Sequence, residues 1–112
     1  MDEILSTLEK ILEQRKSATA DDSYVASLYS QGTNKILDKI SEESAEVIKA
    51  AHDEGNDQII HEVADLWFHT LVLLRHKNIS IKEIETELTR RFGLSGHTEK
   101  AARYKSNEEK NS

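Results

Sequence analysis

The sequence predicts an all-α fold, in which an antiparallel helix hairpin forms a four-helix-bundle core when two chains associate. Three observations point there. The 112 residues contain no proline, and the four glycines stand outside the long apolar-periodic runs. Apolar residues recur at helical spacing along most of the chain. The connection at Gly55 between the two longest runs is so short that their helices must lie side by side and antiparallel.

The elements follow in order. Ile4, Leu5, Leu8, Ile11 and Leu12 define an amphipathic helix running to about Lys16, and the small polar residues 17–22 read as a loop. Ser23 caps a short helix carrying Tyr24, Val25, Leu28 and Tyr29, which stops near Gly32. Thr33 or Asn34 is expected to cap the first long helix, whose inward arc holds Ile36, Ile40, Val47, Ile48 and Ala51 and which ends in a glycine C-cap around Gly55. Asn56 or Asp57 is expected to cap the second, which extends to about Lys77. Ser80-Ile81-Lys82-Glu83 forms a capping box, with Ile79 and Ile84 placed for the hydrophobic staple. It opens a last helix with Ile81, Ile84, Leu88 and Phe92 facing inward, up to Gly93. One domain over residues 1–104 is expected, followed by a polar tail at 105–112.

Composition narrows the function. A formal charge of -6 argues against a nucleic-acid polymer or an anionic membrane as partner. The chain has no cysteine, which excludes disulfides, zinc–thiolate sites and thiol catalysis. No run is long enough to span a bilayer, and Met1-Asp2-Glu3 is acidic rather than signal-like, so a cytoplasmic protein is expected. Hydrophobic residues are 37% and charged residues 32%, lean for a monomeric core. The second long helix is nonetheless apolar on nearly every side, through Ile59, Ile60, Val63, Ala64, Leu66, Trp67, Phe68, Leu71, Val72 and Leu74. A helix of that kind must be surrounded, and a two-fold homodimer is the commonest way to do it.

Two acidic clusters interrupt these helices: Glu42-Glu43-Ser44-Ala45-Glu46 and Glu62-Val63-Ala64-Asp65. At ~100° per residue, Glu43 falls inside the apolar arc of its helix, seven residues after Ile36 and four before Val47, with Glu46 on the flank and Glu42 further towards solvent. Glu62, Asp65 and His69 form a strip along the remaining side of the second helix. Both clusters lie roughly ten residues from the shared turn, so the hairpin brings them to similar heights at ~1.5 Å rise per residue. Carboxylates held together away from water must protonate, pair with cations or bind a metal. Oxygen donors from two helices, an i, i+3 pair on each, suit a hard divalent cation such as Mg²⁺, with Mn²⁺ a substitute. The competing possibility is a solvated acidic face paired with lysines. A di-iron bundle is disfavoured because no Glu has a His three residues later.

With the acids placed, the chain resembles the all-α, MazG-like nucleoside triphosphate pyrophosphatases, through Glu42-Glu43-x-x-Glu46 followed by Glu62-x-x-Asp65. Within that superfamily it is similar to the phosphoribosyl-ATP pyrophosphatases. Ser23-Tyr24-x-x-x-Leu28, Gly32-x-x-Lys35-Ile36-Leu37-x-Lys39-Ile40, Glu62-Val63-Ala64-Asp65-Leu66-Trp67-Phe68-His69 and Gly93-Leu94-Ser95-Gly96-x-x-Glu99-Lys100-Ala101-x-Arg103 carry the closer match. Asp38, Ser41 and Val25 depart from the usual basic residue, glycine and threonine, and Val25 and Asp38 bear on substrate contacts. The resemblance implies hydrolysis of phosphoribosyl-ATP between its α- and β-phosphates, giving phosphoribosyl-AMP and pyrophosphate, the second step of histidine biosynthesis. The alternative is another nucleoside or deoxynucleoside triphosphate. It also implies Glu43, Glu46, Glu62 and Asp65 as ligands of Mg²⁺, Glu42 as base or ligand of a second ion, and a homodimer. Lys35, Lys39, Lys100 and Arg103 are candidates to contact the phosphates, although Lys39 is also spaced to pair with Glu43. Tyr24 offers a face to the purine, with packing as its competing role and that of Tyr29, and His69 reads as a supporting histidine rather than a ligand.

Overall fold

A computed structural model describes residues 2–93. They form five helices, α1 (Asp2–Gln14), α2 (Tyr24–Gln31), α3 (Thr33–Asp53), α4 (Asn56–His76) and α5 (Ile81–Phe92), with a 3-10 turn at Arg15–Ser17 and no strand among the described residues. The all-α expectation holds. The chain divides into two compact units, Met1–Ile79 with α1 to α4 and a second that begins at Ser80 and contains α5. The expected tail at 105–112 lies outside the described residues.

The first unit is built on the α3–α4 hairpin, whose two helices of 21 residues each are joined through Glu54 and Gly55. Two expected caps differ from what is found. α3 begins at Thr33 with Gly32 as its N-cap, and α4 begins at Asn56 with Gly55 as its N-cap; neither has a side-chain cap bond. Gly55 is therefore not a left-handed C-cap: α3 ends at Asp53 and Glu54 continues in extended backbone, so the reversal is made without a left-handed residue. Gly32 is the position where glycine is required. It closes α2 and opens α3 at φ 94°, ψ -176°, a conformation that a side chain strains even though a Cβ there would meet no atom within 4 Å.

The short helix is anchored at both ends of its first half. Ser23 is extended and its Oγ accepts from the Ala26 amide at 3.1 Å, as expected of an N-cap. Tyr29 is a packing residue: its hydroxyl donates to the Leu12 carbonyl at 2.9 Å and its ring stacks on His76. α1 is further held to α4 by Arg75, which donates to Glu13 at 2.8 Å and lies 3.7 Å from Glu9. α4 ends in a Schellman motif: Ile79 N–H bonds the Leu74 carbonyl, Asn78 N–H bonds that of Arg75, and Asn78 takes φ 61°, which Asn tolerates better than most residues.

The fully buried side chains Leu12, Leu28, Ile36 and Val72 join α1, α2, the start of α3 and the end of α4. The core therefore sits at the end of the hairpin away from its turn. Towards the turn the buried apolar residue is Ala50, where the arc read from sequence put Ala51, while Ile48 is 61% exposed. The buried line along α3 is centred on Ile36, Glu43 and Ala50, slightly round from the predicted arc. In the second unit the Ser80–Glu83 capping box is present in both directions, and Gly93 closes α5 in the left-handed conformation. Of the four residues expected to face inward on α5, Ile81 is buried, whereas Ile84, Leu88 and Phe92 are exposed.

Candidate active site

The inner faces of α3 and α4 carry the acids. Ile36 and Ala50 are fully buried and Glu43, midway between them at heptad spacing, is half-buried. On α4 the corresponding line is Gln58, Glu62, Asp65, His69 and Val72, all within one ~100° arc. Glu62 is only 8% exposed and His69 only 5%. The polar strip of α4 is thus its inner face, and Ile60 (67% exposed) and Trp67 (49%) lie on the opposite one.

The carboxylates are held close. Donor atoms of His61, Glu62 and Asp65 lie within 4.8 Å of one another. Glu62 accepts from the Gln58 amide at 2.7 Å, and His61 Nε2 stands 3.4 Å from Asp65 Oδ2. Burial raises Glu43 above the usual carboxylate range, and the charges of Asp65 and Glu62 raise it further against the opposing pull of His69 and Lys39. Glu43 therefore shares the field of the α4 acids. Glu46 is exposed on the flank of α3 and does not join the three-residue group. Glu42 is exposed and accepts from Lys39 Nζ at 3.3 Å, so the lysine pairs with Glu42 one turn on, not with Glu43. Lys35 is half-buried on the same flank. The Glu62 and Asp65 carboxylates, with Glu62 held by a neutral amide and His61 beside them, offer oxygen donors of the kind that a hard divalent cation takes.

At the end nearest the core the acids are closed by Tyr24 and His69. The Tyr24 hydroxyl lies 2.8 Å from His69 Nε2, and His69 Nδ1 lies 2.8 Å from the Asp65 carbonyl. A carbonyl only accepts, so Nδ1 carries a proton; in the neutral ring Nε2 then accepts and the Tyr24 hydroxyl donates. His69 also meets Tyr24 and Phe68 edge to face. With both nitrogens engaged, it is a supporting residue. Burial pushes the Tyr24 hydroxyl above its ordinary range; Lys39 opposes the shift, and Glu43, Glu42 and Asp65 add to it. The tyrosine oxygen therefore lies in the field of the acids.

Residues 5–92 match the phosphoribosyl-ATP pyrophosphohydrolase family. The chain belongs to that family. It is 70% identical over 103 residues to the phosphoribosyl-ATP pyrophosphatase of Vesicomyosocius okutanii, covering 92% of this chain and 98% of the relative. The enzymes of the same name from Hydrogenovibrio crunogenus and Neisseria meningitidis are 53% and 48% identical, covering 92% and 94% of this chain and 95% and 98% of the relatives. Membership in the phosphoribosyl-ATP pyrophosphohydrolases thus extends over the whole hairpin and both acidic clusters.

Among the predicted site residues of this family member, Glu62 and Asp65 stand together on α4, and Tyr24, Lys39 and Glu43 share an electrostatic field with the acids. Lys35, Glu42 and Glu46 lie along one flank of α3, and Lys100 and Arg103 fall outside the described residues. Sequence reasoning missed His61 and Gln58. Both stand four residues from an acid on the same helix, His61 before Asp65 and Gln58 before Glu62, which was the available signal.

Proposed function

We propose that the chain hydrolyses phosphoribosyl-ATP between the α- and β-phosphates, releasing phosphoribosyl-AMP and pyrophosphate in the second step of histidine biosynthesis. The observation that carries this reading is the half-buried Glu43 in the field of Glu62 and Asp65, inside a segment matched throughout to the pyrophosphohydrolase family. Glu43, Glu46, Glu62 and Asp65 hold Mg²⁺, or Mn²⁺ in its place. When bound, the ion supplies neutralisation of phosphate charge and activation of water. Glu62 and Asp65 stand together on α4, and Glu43 and Glu46 are to join them from α3 by rotamer changes.

The chain's own residues do the rest. Lys39 and Lys35 lie on the flank of α3 beside the acids and stabilise phosphate oxygens; Lys100 and Arg103 supply further positive charge. Glu42 stays outside the ligand set and accepts the proton of the attacking water. Lys39 Nζ holds Glu42 Oε1 at 3.3 Å until substrate arrives. Tyr24 flanks the nucleoside. The working form is a cytoplasmic homodimer in which the exposed face of α4, with Ile60 and Trp67, packs against a second copy. No described helix is long and apolar enough to cross a membrane.

The test is pyrophosphate release from phosphoribosyl-ATP against a panel of ordinary and deoxynucleoside triphosphates, each with and without Mg²⁺. Turnover confined to phosphoribosyl-ATP with Mg²⁺ is expected. Faster hydrolysis of a common triphosphate would replace the proposed substrate, and full metal-independent turnover would overturn the ligand set.

A further inference from the structure

The hydrogen-bond polarity of the Tyr24–His69 pair has a chemical consequence. The Asp65 carbonyl at 2.8 Å fixes a proton on His69 Nδ1, and in the neutral imidazole Nε2 accepts the hydrogen bond of the Tyr24 hydroxyl, also at 2.8 Å. The imidazole is 5% exposed and held edge to face between Tyr24 and Phe68, so the arrangement is built into the fold. The Tyr24 ring is 52% exposed. It is a half-exposed aromatic surface whose tip is tied down beside the acids.

The Tyr24 hydroxyl has a single proton, and neutral His69 engages it. What remains for a further partner is an oxygen with lone pairs only. Such an oxygen cannot donate to a phosphate, and a phosphate oxygen placed against it would meet repulsion. It can accept from a sugar hydroxyl or from an N–H of a base, and the ring beside it can stack on a planar heterocycle. We propose that His69 is a positioning residue that, by fixing the hydrogen-bond polarity and ring placement of Tyr24, makes the Tyr24 side of the acidic group the nucleoside end and keeps the phosphate chain on the carboxylates and the Lys39 flank of α3. The assignment rests on the pyrophosphohydrolase reading above and adds to it the direction in which the substrate lies.

Product inhibition separates the two ends, because pyrophosphate carries no nucleoside and phosphoribosyl-AMP carries little of the phosphate chain. In Tyr24→Phe, loss of the accepting oxygen should raise KM and the inhibition constant for phosphoribosyl-AMP by about threefold to tenfold, the range of one hydrogen bond. The inhibition constant of pyrophosphate should stay within twofold of wild type, on the order of an unperturbed contact. Tyr24→Leu removes the ring as well and should extend the nucleoside-side loss without moving pyrophosphate. His69→Leu should reproduce the Tyr24→Phe pattern, and His69→Gln, whose amide oxygen can accept the hydroxyl proton, should recover much of it. A role confined to packing would lower the melting temperature of these variants while leaving both inhibition constants unchanged. Weakened pyrophosphate inhibition in Tyr24→Phe, or unchanged phosphoribosyl-AMP inhibition, would overturn the assignment. Should His69→Leu fail to fold, Tyr24→Phe at the half-exposed ring decides alone. If wild-type protein does not hydrolyse phosphoribosyl-ATP, the underlying reading fails; if it does and the constants do not divide as stated, only the orientation fails.

Discussion

The two faces of α4 are opposite in chemistry and inverted in placement. Its buried face carries Glu62, Asp65 and His69, while its outward face carries Ile60 and Trp67. An ordinary amphipathic helix does the reverse. Burying a carboxylate disfavours its charged form, and exposing a large apolar face forgoes burial worth roughly 25 cal/mol per Å². A single copy of the hairpin therefore bears both costs along the same helix. They are relieved together if the inner face takes a cation and a charged substrate while the outer face takes a second chain. The position of a residue on this helix thus says which partner it answers to.

The largest expected effect breaks the inner face. Glu43→Gln and Asp65→Asn should each lower kcat by about 10²–10³, as expected when one preorganised electrostatic group is lost, with the helical circular dichroism unchanged. Near-wild-type turnover of both variants at saturating Mg²⁺ would show that the acids are merely solvated. The next effect breaks the outer face. Trp67→Glu should abolish association and lower stability by about 2 kcal/mol or more, the scale of a central interface residue. For the wild type, the melting temperature should rise with protein concentration. Sedimentation equilibrium at low micromolar concentration checks this: a stable, folded wild-type species of 12.7 kDa would show that the outward face needs no partner.

The smallest effect sharpens the contrast by titration. Glu43 is raised above its ordinary 4.5, so in metal-free protein the native state binds this proton more tightly than the unfolded chain. Stability should therefore be greatest at and below that ordinary value and fall as pH rises through the folded value. Glu13, lowered chiefly by Lys16, acts on the other side of 4.5, where stability is lost as pH falls. Urea midpoints across this range, without and with Mg²⁺, measure the slope. The decline above 4.5 should flatten in Glu43→Gln and on adding Mg²⁺; an identical slope in wild type and variant would remove Glu43 as its source.

Much of this was legible in the sequence, because periodicity encodes which residues share a face. Ile36, Glu43 and the small residues near 50 announced an acid on a buried line, and the short connection at Gly55 set the two clusters level. The serine caps at Ser23 and Ser80 were equally plain, since a side-chain oxygen three residues before an amide is a local signal. The glycine caps were not: Gly32 acts through a positive φ and Gly55 through ordinary extended backbone, while Thr33, Asn34, Asn56 and Asp57 offer better capping side chains beside them. The tie between Tyr24 and His69 spans 45 residues and depends on how α2 is laid against α4, which no local pattern carries. On α5 the apolar spacing suggested an inward stripe, yet three of its four residues are exposed. Periodicity marks a face without saying what covers it.

The connector at Glu54–Gly55 has an evolutionary implication. Because α3 and α4 are contiguous, every proposed metal ligand falls between Glu43 and Asp65, and the ligand set is inherited as one uninterrupted stretch of chain. Residues that adjoin the acids from outside that stretch, Tyr24 foremost, are inherited apart from the ligand set. Drift in α2 is then free to alter which nucleoside is accepted, while the chemistry performed on its phosphates stays under separate selection within the hairpin.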